Sequence, residues 1–238
     1  MERKKFFTNG LAALGFAFVA PLANSCTKES AVTDTTGTGT GTGTTAGSCS
    51  TSPTETEGPF PTKTPSSLVT SDIRSDRSGV AFTIRITINN KNNSCAALAG
   101  AIVDIWHCDK DGYYSEYGGS GMQSVNFTSV HFLRGRQTTD ANGLVSFTSI
   151  FPGWYSGRAP HIHVHVYSAT GNSLLVTQIA FPTSICDTVY TTAYNRGKQD
   201  TSNASDNVFS DSLATELATV IGSVASGYVL THIITVSA

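Results

Sequence analysis

Between Phe151 and His163 the chain reads Phe-Pro-Gly-Trp-Tyr-Ser-Gly-Arg-Ala-Pro-His-Ile-His. Residues two apart on an extended strand face the same side, so His161 and His163 project together and can reach one metal ion. Pro160 stands where a strand can begin. His165 continues the alternation, and spacing alone does not choose which two of the three would bind. Imidazole alone suits zinc, copper or iron. The eight tyrosines bring a different donor. Phenolate is a hard, anionic oxygen, and free tyrosine titrates near ~10, so a strongly Lewis-acidic ion such as Fe(III) is needed to favour it at neutral pH. Two tyrosines with two histidines would hold iron in the ferric state. Most of the eight are expected to be core or sheet aromatics.

Short apolar or alternating runs separated by Gly, Asn and Asp would have to place these side chains. Seven strands are expected, over 80–89, 101–107, 132–139, 144–150, 161–167, 173–181 and 228–236. Asp140-Ala141-Asn142-Gly143 is a turn between two of them. The pattern predicts an all-β chain, a β-sandwich of mixed strands with long active-site loops. The segment 211–223 fits a helical stripe (Leu213, Leu217, Val220, Ile221) as well as an irregular strand pair. Polar residues dominate 187–209, which is expected to be a surface excursion bordering the site.

Composition bounds the partners. With 238 residues, 39% hydrophobic, the chain can bury one sizeable core. A net charge of -2 and 13% charged residues leave no basic excess for nucleic acid. Residues 1–26 carry a basic start, Arg3, Lys4 and Lys5, and an apolar run from Leu11 to Ala20, too short to span a bilayer and suited to export. Arg3-Lys4-Lys5-Phe6-Phe7 resembles a twin-arginine signal with Lys in the second basic position. Leu22-Ala23-Asn24-Ser25-Cys26 resembles a lipobox, so Cys26 could carry a lipid and attach the protein to a membrane. The expectation is therefore an exported protein, anchored in the cell envelope or secreted. Residues 27–54, nearly all Thr and Gly from Thr33 to Gly47, are expected to be a flexible tether. A catalytic domain is expected over 55–238. Cys49, Cys95, Cys108 and Cys186 are an even set without a Cys-x-x-Cys spacing, expected to be disulfide staples with undetermined pairing.

Three runs carry a family resemblance: Gly100 to Ser115, with Trp106, Tyr113 and Tyr114; Phe132 to Asp140; and Pro152-Gly153-Trp154-Tyr155 through His161-Ile162-His163. They resemble the intradiol ring-cleavage dioxygenases, which include the protocatechuate and catechol dioxygenases. The likeness opens at Glu55-Thr56-Glu57-Gly58-Pro59-Phe60-Pro61 and runs to about residue 210. It implies an enzyme that binds Fe(III) through Tyr114, Tyr155, His161 and His163. Tyr114 is preferred to Tyr113 because the family's ligand lies eight residues after the tryptophan, here Trp106. It also implies an active-site arginine, Arg158, to stabilise charge on the bound ring, and a glutamine, Gln178, to orient oxygen. Tyr155 would leave the metal and accept a substrate proton. The implied partners are a small aromatic diol and O2, the product a muconate-type diacid. His165 would not be a ligand. The Thr/Gly tether stands where catechol dioxygenases carry a helical segment that pairs two subunits, and the oligomeric state is left open. So are the ring substituents, with Tyr113, Tyr117, Trp154 and 56–60 expected to border them.

A rival reading is non-catalytic. Thr139 to Tyr155 also resembles prealbumin-type surface sandwich modules that bind partners or sugars, which need no paired His and Tyr donors. A zinc or copper hydrolase using His161, His163 and His165 lacks a carboxylate base in the same stretch.

Overall fold

A computed structural model of the protein describes residues 50–238. The expected export signal, most of the tether, Cys26 and Cys49 lie outside the described residues. Among the described residues no helix is long and apolar enough to cross a membrane.

The strands follow their side-chain alternation. In β1 (Ala81–Asn90) Phe82, Ile84, Ile86 and Ile88 are buried while Arg85 faces out. A one-residue slip would expose all four, each worth about 2 kcal/mol when fully buried, and bury Arg85. The other strands are β2 (Ala96–Ala97), β3 (Ile102–Trp106), β4 (Arg134–Thr138), β5 (Leu144–Ile150), β6 (His161–Tyr167), β7 (Ser173–Ala180), β8 (Thr219–Ser223) and β9 (Gly227–Val236). One sheet has β1 at its centre. β9 runs parallel beside it with β8 beyond, while β5 and β2 both pair antiparallel with β1 itself, β5 along Ala81–Thr87 and β2 at Asn89 and Asn90. The second sheet, ordered β4-β3-β6-β7, is antiparallel throughout. The protein is thus an all-β sandwich of mixed strands, as its patterning predicts. The seven expected strands recur with ends moved by one or two residues.

Between the sheets, Ile162, Val164 and Val166 of β6 pack with Val103, Ile105, Phe147 and the apolar row of β1. The alternate residues of β6 must then face the other way. Pairing across the second sheet sets Arg134, Trp106, His163 and Gln178 side by side in one row over β4, β3, β6 and β7. All four are buried. Their cover is the segment before β1, joined to the sheet by Glu55 N–H donating to the Val176 carbonyl at 2.8 Å. Ser52 N–H donates to the Thr235 carbonyl and Ser52 Oγ accepts from Thr235 N–H, so ordered contacts begin by residue 52.

Two expectations are corrected and one open segment is resolved. The polar stretch 187–209 is largely exposed and does border the site, but it is not surface throughout. A helix, α1 (Thr183–Thr192), takes its first part and buries Val189 and Tyr190. Further on, Asp206, Val208 and Phe209 are buried as well. Polarity misled here because Asp206 is a buried charge with its own partners. The ambiguous 211–223 contains both elements, a short helix α2 (Leu213–Glu216) and then β8. Of the cysteines, Cys95 is disulfide-bonded, but Cys108 and Cys186 are free and buried. They fill core space as small apolar groups, and burial raises both thiol pKa values.

His107, at the end of β3, joins the two sheets. Its ring nitrogens lie 2.8 Å from the Cys108 carbonyl and 2.8 Å from Ser149 Oγ on β5. Burial pushes its pKa down to about 4, with the nearby Arg134 charge acting in the same direction. Between pH 6.5 and about 4 the unfolded chain binds a proton that the folded one does not. Stability from this group is complete above pH 6.5 and falls by up to roughly 3 kcal/mol on acidification. His107→Gln should destabilise the fold at pH 7, and by urea unfolding the gap to wild type should narrow towards pH 4.5. A gap independent of pH would contradict this assignment.

Candidate metal centre

His161 opens β6 directly after Pro160, and its ring is fixed by its own chain. Nδ1 lies 2.6 Å from the Ala159 carbonyl. A carbonyl can only accept, so Nδ1 carries the proton and Nε2 presents a lone pair. His163, two residues on, points the same way, with Nε2 3.1 Å from Nε2 of His161. The Trp106 ring lies parallel to His163, centroids 4.9 Å apart. On the other side Gly58, at φ +68, comes so near that an added Cβ would stand 3.0 Å from Cε1 of His163.

Two tyrosines close on the same point. Tyr114 comes from the loop joining β3 to β4 and Tyr155 from the loop joining β5 to β6. Their hydroxyl oxygens lie 3.3 and 3.2 Å from Nε2 of His161. Tyr114 is buried under Phe60, rings stacked at 4.8 Å, whereas Tyr155 lines an open cavity. The four residues singled out in the sequence are therefore brought together. His165 is not. Its Nε2 lies 2.8 Å from Ser173 Oγ and its Nδ1 lies 2.8 Å from the Tyr167 hydroxyl oxygen. Among the described residues no group of three or more His, Cys, Asp or Glu side chains is placed to hold a metal.

Arg158 and Gln178 meet beside this cluster. Arg158 Nη2 donates to Gln178 Oε1 at 2.7 Å, and Gln178 Nε2 donates to the Thr56 carbonyl at 2.8 Å. Asp206, which sequence reasoning missed, accepts from Arg158 Nε at 2.9 Å and from Ala159 N–H at 2.6 Å. Burial raises the Asp206 pKa, but these donors and Val208 N–H outweigh it, so the net shift is downward and the carboxylate stays charged. Nothing in its polar surroundings in the sequence marked it out. Arg134 was also missed, since it reads as an ordinary strand residue. It is buried, donates to the Phe60 and Ser115 carbonyls at 3.0 and 2.7 Å, and lies 3.7 Å from Glu116. In this way it joins the segment carrying Phe60 to the loop carrying Tyr114. Burial lowers its pKa to about 10, so it remains a cation at neutral pH.

Burial sets the charge state of the centre. It pushes His161 down to about 3, with Arg158 adding to the shift, and drives His163 well below its ordinary value. It raises Tyr155 to about 12, against the pull of Arg158, and Tyr114 well above 10. At neutral pH all four donors are neutral. Separations of 3.1–3.3 Å between donor atoms are those of ligands each about 2 Å from a common ion. Two imidazole nitrogens and two phenol oxygens therefore fit a hard, strongly Lewis-acidic cation able to displace both phenol protons.

Fold and site define a β-sandwich protein with a buried centre of two histidines and two tyrosines. A family model described as dioxygenase matches residues 57–211, and the chain belongs to that family, the intradiol ring-cleavage dioxygenases. An intradiol ring-cleavage dioxygenase from Tetranychus urticae is 28% identical and superposes with a TM-score of 0.70, over 79% of this chain and 95% of that one. The dioxygenase domain of a dioxygenase carbohydrate-binding protein fusion from Streptomyces sp. SirexAA-E shares the fold, with a TM-score of 0.57 at 24% identity over 79% and 99% of the two chains. Chlorocatechol 1,2-dioxygenase of Rhodococcus opacus is 29% identical over 131 residues, 47% of this chain and 48% of that protein. The chain spans about half the length, or less, of the curated relatives it matches.

Gly58 tests how tightly the centre is built. Gly58→Ala should cost about 1–2 kcal/mol from positive φ alone, measured by denaturant unfolding. The new methyl would also press on His163 and should weaken retention of a bound metal at least tenfold. Wild-type stability and metal retention would contradict this packing.

Proposed function

We propose that this chain is a non-haem Fe(III) intradiol dioxygenase. It would cleave an aromatic diol between its two hydroxyl-bearing carbons, place both atoms of O2 in the product, and release a muconate-type diacid. Catechol-type diols are the substrate class, in keeping with the catechol and chlorocatechol dioxygenases among its relatives. The observation that carries this reading is the convergence of two phenol oxygens and a second imidazole nitrogen within 3.3 Å of His161 Nε2. A non-catalytic surface module would need no such buried polar cluster.

Tyr114, Tyr155, His161 and His163 would hold the iron, and when bound it would supply the Lewis acidity and redox capacity that let a diol react with O2. The chain's own groups do the rest. Tyr155 is the candidate ligand that faces the cavity, so its oxygen can exchange a proton with an incoming diol. Tyr114, sealed behind Phe60, stays in place. Arg158 acts on Tyr155, Tyr114 and His161 through its charge. Fixed by Asp206 and Gln178, it is set to stabilise negative charge on a diol oxygen without reorganising. Phe60 and Trp106 keep water from the inner side, which strengthens that charge.

The test is oxygen labelling. Catechol turned over under 18O2 by the ferric-loaded protein should give the diacid with two labelled oxygens, one in each carboxylate, by mass spectrometry. A singly labelled product, or a ring opened next to the diol rather than between its hydroxyls, would overturn the proposal.

A further inference from the structure

The cavity that Tyr155 lines has a volume of about 140 Å³, and one wall is the side chain of Arg196. This arginine is half-buried and held in two ways. Its guanidinium lies over the Trp154 ring, 5.0 Å from the centroid, a stacking that orients its planar fork. Its Nη2 also occupies ground next to Gly112, 3.0 Å from where a Cβ would stand, and the Trp154 carbonyl lies 2.4 Å from that point. Any side chain at position 112, where φ is +87, would push both away.

Arg196 differs from the other arginines in its pairing. Arg74, Arg77, Arg134, Arg136 and Arg158 each lie within ion-pair distance of a carboxylate. Among the described residues Arg196 has no such partner, and Arg85, which also lacks one, stands exposed on β1. Of the acidic groups, Asp111 also lines the cavity, and its carboxylate is held by Lys110 Nζ at 2.7 Å. Asp200, behind Ser156, accepts from the Ser156 and Thr201 hydroxyls and from Gly157 N–H. Arg196 thus brings to the cavity it shares with Tyr155 a guanidinium with its donors unspent on carboxylate.

We propose that Arg196 binds an anionic substituent, foremost a carboxylate, on the aromatic diol, making anionic catechols the substrate class of this chain. The inference rests on the dioxygenase reading above. A diol presented to Tyr155 directs the far edge of its ring into this cavity, where a carboxylate can take two parallel N–H donors from one guanidinium. A neutral ring gains nothing from the charge, and a cationic substituent is repelled by it.

Ring opening of 3,4-dihydroxybenzoate, catechol and 4-(2-aminoethyl)catechol should rank in that order by kcat/KM. The carboxylate should lead the ammonium compound by roughly tenfold to a hundredfold, the worth of one charge-assisted pair. R196E should invert the order of the two charged substrates, a gain for the ammonium compound that misfolding cannot produce. Calorimetric binding of 4-hydroxybenzoate, which keeps the carboxylate but is no diol, should be lost in R196E. Equal rates for the three substrates in the wild type, or a charge ranking unmoved by R196E, would overturn the assignment to Arg196 and leave the dioxygenase standing. Failure to open any of the three rings would overturn the dioxygenase reading itself, and this inference with it.

Discussion

Four polar atoms packed around one point in a water-poor interior are costly unless they are neutral or share a cation. That constraint shapes the second sheet. His161, His163, Tyr114 and Tyr155 are all held neutral by burial, in the opposite direction for the imidazoles and the phenols. The closeness of their donor atoms is tolerable as a set of hydrogen bonds among neutral groups, and it becomes an advantage once two protons are exchanged for a metal ion. Each supporting contact reads as a way of keeping these atoms in register: the Ala159 carbonyl on His161, the Trp106 ring and Gly58 on His163, Phe60 on Tyr114.

The sandwich supplies rigidity and both histidines, and the connections supply the rest of the chemistry. β6 contributes its core face to the packing between the sheets and its other face to the centre, so the hydrophobic pattern that fixes its register also aims both histidines. The tyrosines and Arg158 come from loops, and buried charged groups with several partners hold those loops down. Arg134 reaches the segment carrying Phe60 and the loop carrying Tyr114, while Asp206 secures Arg158 and Ala159 together. Removing one partner from such a set would strand the others without water, which makes these charges as important to the centre as its candidate ligands.

The alternation of apolar residues made the strands, the sandwich and the common direction of His161 and His163 legible in the sequence. Choosing Tyr114 over Tyr113, and separating His165 from its neighbours, required the family resemblance; the structure places Tyr114 at the cluster and binds His165 to Ser173 and Tyr167. The stretch holding Asp206 and Arg196 is expected at the border of the site, but these two residues could not be singled out in it, because their burial depends on contacts with distant segments. The helix at 183–192 was hidden for a related reason. Its threonines are neutral in pattern, and its apolar face emerges only from packing on the core. Cys108 and Cys186 satisfied a counting argument for disulfides, but that argument says nothing of distance.

The central claim is that two phenolates and two imidazoles share one ferric ion. Resonance Raman spectroscopy of the ferric-loaded protein, excited in its visible band, tests it most directly. The account predicts tyrosinate ring and C–O vibrations from two distinct residues, one set lost in Tyr114→Phe and the other in Tyr155→Phe, with no change in His165→Ala. A colourless ferric-loaded protein, or a spectrum unaltered by either tyrosine substitution, would contradict it.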